Sequence, residues 1–227
     1  MSIIEVNRTD DRVFIKHLLV SVSDKRGLED FIPGLLDIQP AIKIFSTGGT
    51  FSRIREILGD RADGRLMQVS DYTGQPETRG GLVKTLDFKI YLGLLTETYN
   101  DSHQADLKRT GGVPIDMVVV NLYPFKETIG RQGVTPEQAR GNIDIGGPCM
   151  IRASAKNFLR VAPVTDPDDY PFIINEMQQN NNRISFSFRY QLAQKAFRHT
   201  ADYDRMIADY LNRTPFDAVK TCYRIDD

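Results

Sequence analysis

The 227-residue sequence is poor in the residues that build disulfide frameworks and metal sites. It contains two cysteines, Cys149 and Cys222, and three histidines, His17, His103 and His199. Two distant cysteines exclude a disulfide framework and a four-cysteine zinc site, and the histidines have no ligand spacing among them. The sequence therefore predicts no catalytic metal, and Cys149 is expected to be a small buried residue.

Neither sign of charge is in excess, and long apolar runs are missing. The 29 basic and 30 acidic side chains give a formal charge of -1, so no basic field is available to hold the phosphates of a nucleic acid. No run of about 18 apolar residues occurs, and the first residues lack the basic and apolar regions of a signal peptide. We therefore expect a cytoplasmic protein with neither a nucleic acid nor a membrane as its partner.

Three common catalytic fingerprints are also missing. The sequence has no G-x-x-x-x-G-K-[ST] motif for triphosphates, no G-x-G-x-x-G motif for dinucleotides and no G-x-S-x-G nucleophile elbow. The chemistry is expected to depend on the chain's own side chains, without a cofactor.

Five apolar runs of strand length alternate with segments of helical periodicity. The runs are H-L-L-V-S-V-S from His17, A-I-K-I-F-S-T from Ala41, L-M-Q-V-S from Leu66, I-D-M-V-V-V-N-L from Ile115 and R-V-A-P-V from Arg160. Continuous rather than alternating hydrophobicity is typical of strands buried on both faces, as in a parallel sheet. The order of elements predicts a three-layer α/β/α fold with a mainly parallel central sheet and C-terminal helices.

Beyond Tyr190 the apolar residues recur at helical spacing, which predicts one or two helices that pack back on the sheet. The Q-Q-N-N-N-N-R stretch from Gln178 is expected to be an exposed turn. We divide the chain into an N-terminal extension (1–16), an α/β domain (17–188) and a C-terminal helical segment with a tail (189–227).

Two loops that follow neighbouring strands are rich in hydroxyl groups and glycine. They are S-V-S-D-K-R-G from Ser21 and S-T-G-G-T from Ser46 to Thr50. Binding sites in open α/β sheets lie at the carboxyl ends of strands, where amides at helix starts hold anions. The plain alternative is that Asp24 and Thr50 cap helices and that the glycines serve turns. The pair of loops favours a phosphate site, with Lys25 as a point charge beside it.

Three further segments carry side chains suited to catalysis. G-G-L-V-K-T-L contains Lys84, which alternatively lies on a solvated helix face, and N-L-Y-P-F places Tyr123 just after a strand. N-I-D-I-G-G-P-C-M-I-R-A-S-A-K-N carries Asp144 and Lys156 on either side of a glycine pair, and a simple helix cap is the alternative role for Asp144. A lysine, a phenol and a carboxylate suit proton transfer and oxyanion stabilisation.

In their order, these motifs resemble the IMP cyclohydrolase domain of the bifunctional purine biosynthesis proteins. The blocks are S-V-S-D-K-R-G-L, S-T-G-G-T, T-G-Q-P-E, G-G-L-V-K-T-L, N-L-Y-P-F, I-D-I-G-G-P-C-M-I-R-A-S-A-K-N, D-P-D-D-Y and K-A-F-R-H-T-A-D-Y-D. The resemblance implies a methylglyoxal-synthase-like fold, a homodimer and a purine nucleotide substrate. The implied reaction converts 5-formamidoimidazole-4-carboxamide ribotide into inosine 5'-monophosphate with loss of water. Because the sequence ends shortly after the Y-D-x-x-I-x-x-Y-L helix, we expect a free-standing cyclohydrolase.

The resemblance also implies which residues act in the site. Lys84, Tyr123, Asp144 and Lys156 match the catalytic positions. Lys84 and Tyr123 are expected to stabilise charge on the formyl oxygen, while Asp144, held by Lys156, handles a proton of the carboxamide. The implied substrate-binding residues are Ser21, Ser23, Lys25, Ser46, Thr47, Gly48, Gly49, Thr50, Thr85, Asn121, Gly146 and Gly147.

The chain departs from the family pattern G-G-R-V-K-T-L-H-P. Leu82 replaces the arginine, Asp87 and Phe88 replace His-Pro, and Tyr91 stands where a further histidine is usual. Loss of the cation is expected to weaken phosphate binding, and Arg79 is the predicted substitute. The departures leave open a catalytically silent nucleotide- or phosphate-binding regulatory module of the same fold. Methylglyoxal synthase itself is expected to lack the N-L-Y-P-F and I-D-I-G-G blocks.

Overall fold

The computed structural model describes residues 5–76 and 83–226. Its strands are β1 (Arg12–Phe14), β2 (His17–Val22), β3 (Lys43–Ser46), β4 (Leu66–Gln68), β5 (Met117–Asn121), β6 (Ala162–Val164) and β7 (Arg183–Ser185). Five of them form a parallel sheet in the spatial order β4-β3-β2-β5-β6. These five strands are the five predicted apolar runs, so the mainly parallel sheet is confirmed.

Helices connect and cover the strands. They are α1 (Leu28–Ile38), α2 (Gly48–Leu58), α3 (Val69–Thr73), α4 (Phe88–Leu95), α5 (Asp101–Arg109), α6 (Phe125–Ile129), α7 (Pro136–Gly141), α8 (Gly146–Lys156), α9 (Tyr170–Gln179), α10 (Phe186–Arg213) and α11 (Phe216–Lys220). One hydrophobic core lies between the sheet and α1, α2 and α9, and a second lies between the sheet and α4, α8 and α10. The arrangement is the predicted three-layer α/β/α fold.

Both faces of the sheet are buried because successive strand side chains enter different cores. On β2, Leu18 and Val20 belong to the core under α1, whereas Leu19 belongs to the core under α8. Val119 and Val118 on β5 divide in the same way. This alternation explains why the strands show continuous hydrophobicity in the sequence.

Helix α10 has 28 residues and packs along α8 and β6. It starts at Phe186, four residues before the predicted helical segment, because the Ser185 hydroxyl caps it by accepting the N–H of Phe188 at 3.4 Å. In the predicted turn before it, Asn181 and Asn182 adopt left-handed backbone conformations, with φ of 52° and 63°. Asparagine tolerates this region better than most residues.

A small antiparallel sheet, which the sequence did not predict, joins β1 to β7. Residues 12–14, assigned to an N-terminal extension, thereby pair with the segment that leads into α10. Both cysteines are free thiols of intermediate exposure, so Cys149 is less buried than expected. Within the described ranges, no helix combines the length and apolar character needed to cross a membrane.

Candidate functional site

A cavity of about 410 Å³ opens at the carboxyl ends of β3, β2 and β5. Its wall comes from five separate parts of the chain, within residues 21–25, 47–50, 83–86, 120–123 and 141–150. The two hydroxyl-rich loops therefore share one cavity with three of the predicted catalytic residues, Lys84, Tyr123 and Asp144.

One side of the cavity is the N-terminus of α2. The N-cap residue Thr47 makes no capping hydrogen bond, and its hydroxyl lies 3.0 Å from that of Ser21. Amides in the first turn of a helix lack intrahelical partners and attract anions. Gly48 has a φ of 43°, in the left-handed region, and a Cβ there would lie 3.2 Å from Nζ of Lys84. Glycine at this position thus lets the ammonium group approach the helix start.

Two predicted binding residues use their hydroxyl groups to tie β3 and α2 to β2. Ser46 is fully buried, and its hydroxyl donates to the carbonyl of Val20 at 2.8 Å. The Thr50 hydroxyl accepts the N–H of Val22 at 3.1 Å and donates to the same residue's carbonyl at 3.0 Å. Thr50 still lines the cavity, whereas Ser46 does not. The structure therefore does not bring the Ser46 side chain to the predicted phosphate site.

Asn121, another predicted binding residue, fixes the loop after β2. Its side-chain oxygen accepts the N–H groups of Ser23 at 2.7 Å and Asp24 at 2.8 Å, and its amide nitrogen donates to the Asp24 carbonyl at 2.8 Å. Lys25 lies on this loop, and its Nζ donates to the Ser23 carbonyl at 3.3 Å. Asn121 thus holds the loop that places Ser23 and Lys25 in the cavity wall.

The opposite side of the cavity is the N-terminus of α8. Oδ1 of Asp144 accepts the N–H of Gly147 at 2.9 Å, so the carboxylate also performs the capping role that was the alternative reading. A Cβ at Gly147 would lie 2.6 Å from Oδ2 of Asp144 and 2.6 Å from Cδ2 of Leu122. A Cβ at Gly146 would lie 2.8 Å from Oγ1 of Thr85. The glycine pair therefore makes room for Asp144 and Thr85 beside the helix.

Burial changes the acidity of the two groups that face each other here. Burial raises the pKa of the Asp144 carboxyl, while the backbone amides of Gly147 and Tyr123 favour its charged form and oppose the rise. Burial, and then the negative charge of Asp144, raise the pKa of the Tyr123 phenol. The phenol therefore keeps its proton at neutral pH, and the carboxylate is a stronger base than an exposed aspartate.

Lys156 is not brought to the cavity. Asp144 precedes α8 and Lys156 is its last residue, so the 11-residue helix separates them by about 17 Å at a rise of about 1.5 Å per residue. Lys156 is exposed and absent from the cavity wall. The predicted pair of Asp144 and Lys156 is not formed within this chain, because their spacing of twelve crosses the whole helix.

Two of the departures from the family pattern, Asp87 and Phe88, directly follow the cavity-wall residues 83–86. Asp87 is the N-cap of α4, where its carboxylate accepts the backbone N–H two residues later at 2.8 Å. Phe88, the first residue of that helix, is 65% exposed. The aspartate at this position therefore has a structural role. Leu82, which replaces the arginine of the family pattern, and Arg79, the predicted substitute for that arginine, lie outside the described residues.

One residue that the sequence did not assign to the site contacts the backbone of the loop that carries Asp144. The hydroxyl of Tyr203, on α10, accepts the N–H of Asp144 at 2.9 Å and donates to the Asn142 carbonyl at 3.4 Å. The sequence feature that could have identified Tyr203 is a tyrosine on the apolar face of a predicted helix. A buried tyrosine hydroxyl needs a hydrogen-bond partner, so such a residue is expected to bind a neighbouring segment. Ile143 and Met150 add apolar wall to the cavity.

Comparison with known proteins identifies relatives over most of the chain. The family model described as MGS-like domain matches residues 27–149, and that of the AICARFT/IMPCHase bienzyme matches residues 154–225. The bifunctional purine biosynthesis protein PurH is 44% identical in Ruminiclostridium cellulolyticum, 45% in Bacillus subtilis and 48% in a Thermoanaerobacter species. The alignments cover 88%, 87% and 86% of this chain, respectively, and 37% of each relative. The chain thus spans well under half the length of these relatives.

A solved structure is similar over nearly its whole length. The crystal structure of ForH superposes with a TM-score of 0.74 at 32% sequence identity, covering 87% of this chain and 97% of that one. The resemblance inferred from the sequence motifs is confirmed. The chain belongs to the family of MGS-like domains, and most of its length is similar to part of the bifunctional purine biosynthesis proteins.

Proposed function

We propose that this chain is an IMP cyclohydrolase of purine biosynthesis, which closes the purine ring of 5-formamidoimidazole-4-carboxamide ribotide. The observation that carries the proposal is the single cavity that joins the hydroxyl-rich loops to Lys84, Tyr123 and Asp144. Sequence identity of 44 to 48% to the bifunctional purine biosynthesis proteins supports the same role.

The phosphate of the substrate is proposed to lie at the start of α2. The uncapped first turn of this helix, the hydroxyl groups of Ser21 and Thr47 and the ammonium group of Lys25 surround that part of the cavity. Helix N-termini bind phosphate through free amides and the helix dipole, and a lysine adds a point charge. A phosphate held there directs the base toward the start of α8.

Ring closure needs alignment of two groups within one molecule more than it needs a strong catalyst. The carboxamide nitrogen attacks the formyl carbon, a carbon–nitrogen bond forms, and negative charge develops on the formyl oxygen. That oxygen then leaves as water, with one proton from the carboxamide nitrogen and one from the formamide nitrogen. The reaction therefore needs an oxyanion partner and a group that accepts and returns protons.

The cavity supplies both kinds of group. Lys84, beside Gly48, and the protonated phenol of Tyr123 are proposed to stabilise the oxyanion, a role worth about 3 kcal/mol for a well-placed donor. Asp144 is proposed to take the carboxamide proton, since burial makes it a stronger base. Asp144 acts here without Lys156, which lies at the far end of α8.

The deciding experiment incubates the purified protein with the formylated ribotide and follows inosine 5'-monophosphate by absorbance. We expect turnover well above the spontaneous rate. Turnover no faster than the uncatalysed reaction, combined with tight nucleotide binding, would instead favour the regulatory module that the substitutions at Leu82 and Asp87 left open.

Two variants test the assigned roles. We expect Lys84→Ala and Asp144→Ala each to lower kcat about 100-fold, because each removes a group that acts on the reacting atoms. Lys108→Ala, at an exposed position on α5, is the matched control and is expected to keep wild-type kinetics. Unchanged kinetics in the first two variants, with correct folding shown by circular dichroism, would remove these residues from the mechanism.

A further inference from the structure

The short loop that carries Asp144 is fastened from two sides. The first contact is with α8, where the Gly147 amide donates a hydrogen bond to the Asp144 carboxylate at 2.9 Å. On the α10 side, the Tyr203 hydroxyl accepts the backbone N–H of Asp144 at 2.9 Å and donates to the Asn142 carbonyl at 3.4 Å. One hydroxyl group thus bridges the residues on both sides of Ile143.

The hydroxyl that fastens the loop is itself held rigidly. Tyr203 is 4% exposed, and its ring meets the edge of Phe125 with centroids 6.2 Å apart and an angle of 67° between the rings. Phe125 is 1% exposed and begins α6, shortly after β5. The core therefore fixes the Tyr203 hydroxyl relative to the carboxyl edge of the sheet.

A purely structural role would require only that the hydroxyl find some partner. Tyr210, two turns further along α10, packs on the same Phe125 ring with centroids 5.8 Å apart. Among the hydrogen bonds of the described residues, none joins the Tyr210 hydroxyl to the 142–145 loop. The contact with the backbone of Asp144 is specific to Tyr203.

We propose that Tyr203 is a positioning residue, which holds Asp144 in its partly buried position at the cavity wall. This inference rests on the proposed cyclohydrolase function for its effect on turnover. The expected effect on the Asp144 carboxyl is independent of that function, because the hydrogen bonds of the Tyr203 hydroxyl hold the loop whatever the cavity binds.

The test compares Tyr203→Phe with Tyr210→Phe. Phenylalanine keeps the ring and the core packing but removes the hydroxyl. The loop then loses its hydrogen bonds to α10, and water is expected to gain access to Asp144. We expect kcat of Tyr203→Phe to fall at least tenfold, since a misplacement of about 1 Å can cost about 100-fold in rate. KM should change less than about twofold, because the phosphate is proposed to bind at the other end of the cavity. Tyr210→Phe should match the wild type.

A second readout follows the carboxyl group directly. The ¹³C signal of the Asp144 carboxyl, assigned by its loss in Asp144→Asn, is titrated in the wild type and in both tyrosine variants. Because burial holds the pKa of Asp144 above its ordinary value, we expect this pKa to fall toward that value in Tyr203→Phe alone. The acid limb of the pH–rate profile should shift in the same direction.

The outcomes separate this inference from the proposed function. Equal kcat and an equal Asp144 pKa in wild type and Tyr203→Phe would overturn the positioning role, as would equal effects of both tyrosine variants. If the wild type shows no turnover, the cyclohydrolase proposal fails, and the carboxyl titration alone decides the role of Tyr203. Thermal unfolding of each variant shows that it is folded at the temperature of the assays.

Discussion

At the scale of single residues, Asp144 shows how the site opposes the stability of the fold. Burial raises its pKa, and the amides of Gly147 and Tyr123 offset this only in part. An acid whose folded-state pKa lies above its unfolded value stabilises the fold at a pH below the unfolded pKa. That contribution is lost as the pH rises through the folded pKa. At neutral pH the ionised carboxylate therefore destabilises the folded chain, a common feature of functional sites.

Replacement of Asp144 by asparagine should expose this cost. Asparagine keeps an oxygen for the Gly147 N–H and removes the partly buried charge. We expect Asp144→Asn to be about 1 kcal/mol more stable than the wild type at about pH 8. The difference should shrink as the pH falls, because the wild-type carboxyl, whose pKa is raised by burial, then becomes protonated. Thermal unfolding across this range, with the exposed Asp30→Asn as control, measures the effect, and a less stable Asp144→Asn at about pH 8 would contradict the expected sign.

The roles of individual side chains were only partly predictable from sequence. Glycine and hydroxyl groups after a strand predict an anion site, and Thr47 and Gly48 do lie in the cavity wall. Sequence spacing does not tell whether a hydroxyl turns to a ligand or to its own backbone, and Ser46 turns to Val20. A short spacing in sequence can also span a long distance in a helix: Lys156 is twelve residues from Asp144, and the helix between them is about 17 Å long.

At the scale of elements, a buried arginine on α10 joins parts that are far apart in the sequence. Arg189 is fully buried and donates to five backbone carbonyls, those of Asp10, Asp11, Phe158, Leu159 and Ile184. Burial lowers its pKa to about 10, so it is charged at neutral pH. These carbonyls lie just before β1, within β7 and in the connection from α8 to β6, so the guanidinium group joins these three parts.

Removal of this group should destabilise the protein strongly. Arg189→Met keeps an apolar stem but leaves several buried carbonyls without donors, so we expect a loss of about 3 kcal/mol or more. The stability of Arg189→Lys should lie between those of the wild type and Arg189→Met, because a single ammonium group cannot reach as many carbonyls as the planar guanidinium group. Urea unfolding followed by circular dichroism measures both. Arg205→Met, exposed on the same helix, should change stability by less than about 0.5 kcal/mol; a similar small change for Arg189→Met would refute the role.

The elements themselves were predictable where their signal is local. The five central strands carry continuous apolar runs, and α10 carries a long helical period. Strands β1 and β7 have three residues each and are defined by a pairing between positions about 170 residues apart. Such short strands have no periodicity of their own, and the arginine that anchors them looks in the sequence like any residue on a helix.

At the scale of the whole molecule, the parallel sheet explains why one cavity collects residues from Ser21 to Gly147. The strands β2, β3 and β5 run in the same direction, so the loops that follow them meet at one edge. The helices α2 and α8 both begin at this edge, on opposite sides of the cavity. A ligand that binds there contacts loops from both halves of the sheet, so binding should stabilise the whole fold.

Stabilisation by a bound ligand gives a test of phosphate binding that does not require turnover. A ligand present at about 100 times its Kd adds about 2.7 kcal/mol to the stability of the folded state. For a chain of this size that should raise Tm by roughly 5–10 °C. We expect inosine 5'-monophosphate to produce this shift and inosine to produce almost none at the same concentration, because only the nucleotide carries the anion for the start of α2. Lys25→Ala should reduce the shift. An equal rise in Tm with inosine would mean that the nucleoside part, rather than the phosphate, anchors the ligand, and would contradict a phosphate site at the start of α2.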